Sequence, residues 1–366
     1  MSVASALASG NEPVPELAVE ALRMALDEAG ERQAHGVLLF LSAEFSRRAQ
    51  QCVTAVARAA HCTQVVGGIA AGVFTASGWV VDRPAAAVMV LGGEFSVGSA
   101  EGEPGDAAIF SYAGGAFPHG WAGQRRRRLG GCFSGRAGPA ELLAWQQSRL
   151  CSEAAWVVRG ARVDFATSTG WRFLAEACRI DSSCRHELLR VGGESALDNL
   201  AAARRASCAT AAPPSLGEIT TSLCAVLIDG ACEPLPIAGA PLDGRQRTAA
   251  IIGGDGKGAL TLSECPLPGQ YVAWAIRSPG VAAADMRQSV ARLAAAAVDP
   301  LAAVVFSCVG RGPFFYAGDD RDLDCLRQQF PRLPLIGTYG TGQIVPAAGG
   351  GGRLLQNAVL TTLLHH

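Results

Sequence analysis

The chain has 366 residues, of which 49% are hydrophobic and 17% charged, and its formal net charge is −1 at pH 7. This composition excludes a disordered chain, and the near-zero charge gives no overall field that would favour nucleic acid or an anionic membrane. The longest apolar runs are strand-length, so no membrane insertion is expected. The N-terminus lacks a basic segment followed by an apolar core, so we expect a cytoplasmic protein.

The N-terminal part of the chain predicts alternating helices and strands. Residues 1–13 are small and polar, and we expect them to be loosely ordered. Val19, Leu22 and Leu26 recur at helical spacing, and Gly30 is a suitable helix stop. The elements predicted next are a strand at 37–41, a helix that ends near Ala60, and strands at 64–69 and 85–91.

The same order recurs near the C-terminus, with a helix at 286–297, a strand at 303–307, a short helix ended by Pro331, and a strand at 335–339. The triplet 40–42 (FLS) matches 306–308 (FSC), and both ends carry a pair of glycines five residues apart. We infer an internal repeat. Strands that are apolar on both faces imply sheets covered by helices. The predicted fold is mixed α/β, with two pseudo-symmetric halves whose stacked β-sheets form helix–sheet–sheet–helix layers.

The middle of the chain is predicted to be rich in strands. Residues 162–171 alternate in polarity, 179–191 suggest a hairpin, and 195–204 suggest a helix capped by Ser195. The segment 205–217 is rich in Ala, Pro and Ser, which makes it the best linker candidate.

Several segments resemble the FIST family, whose members carry N- and C-terminal FIST domains in bacterial signal transduction. They follow the family's order over almost the whole chain. These segments are VLLFLS at 37–42, VVGGIAAGV at 65–73, DRPAAAVMVLGG at 82–93, TSTGWRFL at 167–174, VGGESALDNL at 191–200 and VVFSCVGRG with GTYGTGQI within 304–344.

The resemblance implies a sensory module that binds a small ligand, with amino acids among the ligands suggested for the family. It divides the chain into an N-terminal segment and helix (1–35), a FIST N-terminal domain (36–212) and a FIST C-terminal domain (213–366). No F-box, kinase, GGDEF or methyl-accepting segment can be fitted, so a stand-alone protein that signals through a partner such as a kinase or cyclase is expected. The chain departs from the family at Gly68, where a cysteine is common, and at Gln343, where an acidic residue is common.

A small-ligand site is predicted at two strand ends in the segment 301–345, in a cleft between the two FIST halves. Arg311 lies between two glycines shortly before a helix, where a guanidinium can receive a carboxylate, and nearby hydroxyls could surround the rest of an amino acid or small carboxylate. Alternatively, Arg311 pairs with Asp319, Asp322 or a helix end and braces the loop. The candidate ligand-binding residues are Ser42, Gly68, Cys308, Arg311, Gly312, Tyr316, Tyr339, Gly340, Thr341 and Gln343.

Other functions have weaker support in the sequence. Cys308 follows a strand near Arg311, but no histidine base lies nearby, and no catalytic set or metal-ligand spacing appears, so we expect neither an enzyme nor a metal site. Cys265-Pro266 is a dipeptide that some haem sites use, which leaves a haem-binding, nitric-oxide-type sensor as an alternative. A protein-interaction scaffold without a small ligand is a second alternative. The basic run Arg125–Arg128 is expected to be a solvated loop.

Overall fold

The computed structural model describes residues 2–135, 143–207, 216–230, 246–347 and 350–366. It confirms the mixed α/β class. The chain divides into two compact units, a first unit of Met1–Thr169 with Met286–His366 and a second unit of Gly170–Asp285. Within the described ranges, no helix has both the length and the apolar character that crossing a membrane requires.

Up to residue 159, the described part of the first unit contains sixteen regular elements in chain order. They are β1 (Val3–Ser9), α1 (Pro15–Ala29), β2 (Gly36–Ser42), a 3-10 segment (Ala43–Arg48), α2 (Ala49–Ala59), β3 (Val65–Ala70), β4 (Gly72–Thr75), β5 (Gly78–Val81), β6 (Ala85–Leu91), β7 (Ser96–Ser99), β8 (Ala108–Ala113), α3 (His119–Gly123), β9 (Arg127–Cys132), β10 (Ala144–Gln146), β11 (Arg149–Cys151) and β12 (Glu153–Arg159).

The remaining elements complete the first unit and build the second. They are β13 (Arg162–Ser168), β14 (Trp171–Phe173), β15 (Cys178–Cys184), β16 (Glu187–Val191), β17 (Glu194–Ser195), α4 (Ala196–Ser207), α5 (Leu216–Ser222), β18 (Leu223–Ile228), β19 (Gln246–Gly254), β20 (Leu260–Leu262), β21 (Tyr271–Arg277), α6 (Pro279–Ala296), β22 (Ala302–Cys308), a second 3-10 segment (Val309–Arg311), α7 (Arg321–Gln329), β23 (Leu335–Gly340), β24 (Gly342–Pro346), β25 (Gly352–Leu355) and β26 (Val359–His365). Of the predicted linker 205–217, residues 208–215 lie outside the described residues.

The expectation of a loosely ordered N-terminus is wrong for β1. This strand pairs in antiparallel register with β6, from Val3 opposite Leu91 to Ser9 opposite Ala85. Its Ala4, Ala6 and Ala8 side chains are buried. Alanine and serine have weak strand propensity, so the sequence pattern hid a strand that the neighbouring sheet stabilises.

The first unit contains three six-stranded sheets with one common plan. Their strand orders are β1-β6-β2-β3-β10-β11, β7-β12-β8-β9-β24-β25 and β13-β26-β22-β23-β4-β5. In each sheet the third and fourth strands are parallel, and their other neighbours run antiparallel. The internal repeat is therefore present in three copies, β1–β6, β7–β12 and β13 with β22–β26, rather than in the two predicted halves.

The three copies exchange hairpins in a cycle. Hairpin β4–β5 of the first copy joins the sheet of the third, β24–β25 of the third joins that of the second, and β10–β11 of the second joins that of the first. The second copy escapes sequence detection because it has no helix between β7 and β8 and only the five-residue α3 between β8 and β9. The helices α1 and α2 pack on the first sheet, whereas α6 and α7 pack on the third.

Three aromatic rings, one from each copy, meet where the sheets face each other. The ring centroid of Phe40 lies 5.5 Å from that of Tyr112 and 6.1 Å from that of Phe306. All three side chains are buried. A Cβ atom at Gly68 would lie 2.2 Å from the Tyr112 ring, so this glycine makes room for core packing.

The second unit is a separate β-structure with its own core. Pairings of β21 with both β15 and β18 close the strands β15, β16, β20, β19, β18 and β21 into a ring. Leu188, Leu227 and Trp274 are among its core residues, and Leu200 of α4 packs against them.

Candidate functional site

The loop that follows β22 leads directly into helix α7. The Asp320 side chain caps that helix, accepting hydrogen bonds from the backbone nitrogens of Asp322 at 3.0 Å and Leu323 at 2.9 Å. A carboxylate at this position satisfies donors that the first helical turn leaves unpaired. The cap fixes the position of Asp322, whose side chain points toward the end of β22.

Arg311 lies in the 3-10 segment after β22 and is completely buried. Its Nη2 donates to Asp322 Oδ1 at 3.1 Å and to Ser168 Oγ at 2.9 Å, and its Nη1 donates to the Ser168 carbonyl at 3.1 Å. These contacts correspond to the bracing alternative for Arg311, because the guanidinium ties the loop to α7 and to β13.

The two predicted tyrosine hydroxyls are also engaged inside the protein. Tyr316 donates to Asp322 Oδ1 at 2.9 Å, and Tyr339 donates to Asp320 Oδ2. The Tyr339 ring packs on Phe74, with centroids 4.8 Å apart, and a Cβ atom at Gly312 would lie 3.1 Å from that ring. We call the five side chains Arg311, Tyr316, Asp320, Asp322 and Tyr339 the buried brace.

Burial dominates the protonation of the buried brace. It raises the pKa of Asp322 to about 6, although the Arg311 guanidinium opposes this shift. Burial also raises the pKa of Asp320, with the Tyr339 hydrogen bond acting in the opposite direction. The tyrosine pKa values rise for the same reason. The Asp320 carboxylate raises the pKa of Asp322 further, which favours retention of a proton on Asp322 at mildly acidic pH.

A second polar group forms where β9 ends beside β24. The Thr341 backbone nitrogen donates to the Cys132 carbonyl at 2.8 Å, and its hydroxyl donates to the same oxygen at 3.3 Å. The backbone nitrogen of Ser134 donates to Thr341 Oγ1 at 2.8 Å. Ser134 is exposed and Thr341 half-buried, so this end of the group reaches the surface.

Cys308 and Gln343 extend this group inward. Both bond to one residue, since Ala358 donates its backbone N–H to Gln343 Oε1 at 3.3 Å and accepts from the Cys308 backbone at 3.0 Å. Burial raises the pKa of the Cys132 thiol to about 11, and the neighbouring Cys308 adds to that shift. The buried Gln343 Nε2 has no hydrogen-bond partner within the described residues. We call Cys132, Ser134, Cys308, Thr341 and Gln343 the strand-end cluster.

The remaining candidates have other neighbours. Ser42 Oγ accepts a hydrogen bond from the Ala85 backbone nitrogen at 2.9 Å, and Gly68 lies against Tyr112. A Cβ atom at Gly340 would lie 2.5 Å from the Cys132 carbonyl, so this glycine allows the close approach of β9. The structure thus separates the predicted residues into the buried brace with the adjacent Gly312, the strand-end cluster with the adjacent Gly340, and positions in the first copy.

Several residues of these groups escaped sequence reasoning. Asp322 is predicted above only as one possible partner of Arg311, and Asp320, Cys132 and Ser134 are absent from the predicted site residues. Gly130-Gly131 precedes Cys132 and occupies the place in β9 that Gly67-Gly68 occupies in β3. This double glycine is the signal that could have revealed the second copy and its cysteine.

Two comparisons with known proteins bear on this chain. A family model described as the FIST C domain matches residues 226–346, a range that includes Cys308, Thr341 and Gln343. Two uncharacterized proteins of Mycobacterium tuberculosis, one from each of two strains, are 31% identical to this chain over 93 residues. That alignment covers 25% of this chain and 24% of each relative, so the chain spans about a quarter of the length of the curated relatives it matches. The match at residues 226–346 therefore confirms the resemblance of this chain to the FIST family.

Proposed function

We propose that this chain is a cytoplasmic sensory protein that binds an amino acid or another small carboxylate and signals through a protein partner such as a kinase or cyclase. The FIST C domain match supports a sensory role. We further propose that the protein acts by binding and not by catalysis. The strand-end cluster, between the second and third copies, is the proposed ligand site.

The observation that carries this assignment is the unpartnered amide nitrogen of Gln343. A buried donor without an acceptor costs about 1–3 kcal/mol, and a carboxylate oxygen would satisfy it. The Thr341 hydroxyl, on the half-buried side of the same group, donates to Cys132 and accepts from Ser134, which leaves one lone pair for a ligand ammonium group. The cluster also lies at the carboxyl ends of the parallel pairs β8–β9 and β22–β23, where ligands of α/β sheets commonly bind.

The buried brace has a different role in this proposal. Its guanidinium and its hydroxyls already bond to Ser168, Asp320 and Asp322, so a ligand carboxylate would have to displace an internal partner. We propose that Arg311, Tyr316 and Tyr339 hold the loop that carries Cys308 in place, while the strand-end cluster contacts the ligand.

A thermal-shift screen of the full chain against amino acids and small carboxylic acids tests the proposal. A ligand present at 100 times its Kd should stabilise the fold by about 2.7 kcal/mol. Gln343→Glu keeps an acceptor for the Ala358 backbone and replaces the amide donor with a carboxylate. This variant should lose the stabilisation by the ligand. The proposal fails if no compound stabilises the wild type, or if Gln343→Glu responds as the wild type does.

The screen also includes haem, which Cys265-Pro266 suggests as an alternative ligand. A Soret band after reconstitution, together with stabilisation by haem and by none of the carboxylates, would favour the haem-sensor alternative over the proposed carboxylate sensor.

A further inference from the structure

An exposed cysteine and an exposed histidine meet in the second unit. Cys265 Sγ lies 3.4 Å from His186 Nε2, although the two residues are 79 positions apart in the sequence. The other ring nitrogen, His186 Nδ1, lies 3.0 Å from the carbonyl oxygen of Leu262. The imidazole thus contacts a thiol through one ring nitrogen and an orienting acceptor through the other.

This geometry determines the tautomer of the imidazole. A carbonyl oxygen only accepts hydrogen bonds, so His186 Nδ1 must carry the hydrogen. The lone pair of Nε2 is then directed at the thiol, which donates its S–H to it. A thiol next to a histidine base that a third group orients is the arrangement that activates cysteine nucleophiles.

The backbone on both sides holds the pair in place. The Leu262 backbone nitrogen donates to the His186 carbonyl at 2.8 Å, so the two segments of the chain are hydrogen-bonded at the histidine itself. Beyond Cys265, the Pro266 carbonyl accepts from Ser183 Oγ at 2.7 Å. The thiol is therefore fixed between two attachments to the β15–β16 hairpin while it remains exposed.

We propose that Cys265 is an activated thiol and a site of oxidation by hydroperoxides, with His186 as its base. The site is independent of the proposed ligand site, because its residues belong to the second unit and it requires no bound carboxylate.

The reaction balances with a hydroperoxide as the only co-reactant. The Cys265 proton moves to His186 Nε2, and the thiolate attacks the terminal oxygen of the hydroperoxide. The S–O bond forms while the O–O bond breaks, so the sulfur is oxidised to a sulfenic acid. The leaving alkoxide, or hydroxide when hydrogen peroxide reacts, is reduced and takes the proton back from the imidazolium.

Cys184 provides a matched comparison within the same molecule. It is also an exposed free cysteine in the second unit, and the described structure gives it no contact with an imidazole. The full chain is treated with limiting hydrogen peroxide at pH 7. Mass spectrometry then follows the loss of alkylatable thiol at Cys265 and at Cys184, and dimedone traps the sulfenic acid.

Cys265 should react at least about fivefold faster than Cys184, since an ordinary thiol has only a few per cent thiolate at pH 7. In His186→Gln, which changes an exposed side chain, the rate at Cys265 should fall to that of Cys184 while the thermal midpoint stays unchanged. Equal rates at the two cysteines of the wild type would overturn the proposal, as would an unaltered Cys265 rate in a folded His186→Gln variant.

Discussion

Arg311 and Asp322 form an ion pair that is withdrawn from water, with 0% and 4% of their side-chain surfaces exposed. Replacing one partner leaves the other charge in a site that cannot solvate it. Arg311→Ala should therefore lower the free energy of unfolding by about 3–5 kcal/mol, as measured by denaturant titration.

A surface ion pair serves as the matched control for Arg311. Arg159 lies 3.5 Å from Glu103, and 59% of its side chain is exposed. Arg159→Ala should change the free energy of unfolding by no more than about 1 kcal/mol. If the two substitutions cost the same, Arg311 does not have the bracing role described above.

Asp322 makes the stability of the fold depend on pH. Its pKa is about 6 in the folded protein and 3.8 as an ordinary carboxyl, so the folded state holds more protons between these values. The stability contributed by the proton on Asp322 is complete below about pH 4 and is lost as the pH rises through about 6.

Asp322→Asn tests this pH dependence because an amide does not titrate. The free energy of unfolding of the wild type should fall relative to that of the variant between pH 4 and pH 6. One pKa unit corresponds to about 1.4 kcal/mol, so the relative change should be on the order of a few kcal/mol. A constant difference between the two proteins across this range, or a difference of opposite sign, would show that Asp322 does not carry the raised pKa.

At the scale of single residues, the sequence predicted Asp322 as one of several possible partners of Arg311, but it did not predict Ser168, whose carbonyl and hydroxyl oxygens also accept from Arg311. Asp319 precedes α7 and Asp322 lies in its first turn, and local spacing does not decide which of them pairs with Arg311. The selection comes from the Asp320 cap and from Ser168, which lies 143 positions away. Long-range contacts of this kind leave no local pattern.

Among the structural elements, two parallel strand pairs each depend on one glycine. The pair β2–β3 depends on a glycine in β3, and the pair β8–β9 depends on a glycine in β9. A Cβ atom at Gly130 would lie 1.7 Å from the Ser111 carbonyl oxygen, and one at Gly67 would lie 1.8 Å from that of Leu39. In both places the obstacle is backbone of the neighbouring parallel strand, which cannot rotate away as a side chain can.

Gly130→Ala should consequently destabilise the fold by at least about 1–3 kcal/mol, the usual cost of overpacking. Gly120→Ala in α3 is the control, because a Cβ atom there meets nothing within 4 Å, and its effect should stay within about 0.5 kcal/mol. Thermal unfolding of both variants measures the two effects on stability. An equal effect of the two changes would mean that the close approach of β8 and β9 is not required.

The elements also show why sequence reasoning found two copies and not three. Strands β2 and β22 are buried throughout, consist mainly of apolar residues and lie next to clear helices, so their match is visible. In the second copy β9 begins with arginines, and its helix is five residues long. Apart from its double glycine, this copy is revealed by the shared strand order, which depends on pairings between distant segments.

At the scale of the whole molecule, the first unit is closed around Phe40, Tyr112 and Phe306. Each copy contributes one ring, and each sheet takes a hairpin from another copy. The space between the glycine strands, where a ligand cleft was expected, holds these rings at Gly68 and Gly131. The polar groups of the proposed ligand site lie instead at the strand ends. The predicted domain boundary at 212/213 stays a prediction.

The strand-end cluster joins the second copy, through Cys132 and Ser134, to the third, through Cys308, Thr341 and Gln343. A ligand bound there would connect two parts of the fold that are far apart in the sequence. Such a connection would let a small molecule alter the surface that a signalling partner recognises, which is what the proposed sensory function requires.

Isothermal titration of the carboxylate found in the screen, with the wild type, Thr341→Val and Thr54→Val, tests this account most directly. Thr54 lies on α2 and bonds to Gln50, so its replacement controls for loss of a hydroxyl elsewhere. The account predicts at least tenfold weaker binding for Thr341→Val, equivalent to about 1.4 kcal/mol, and an unchanged Kd for Thr54→Val. An unchanged Kd for a folded Thr341→Val variant would contradict the assignment of the ligand site to the strand-end cluster.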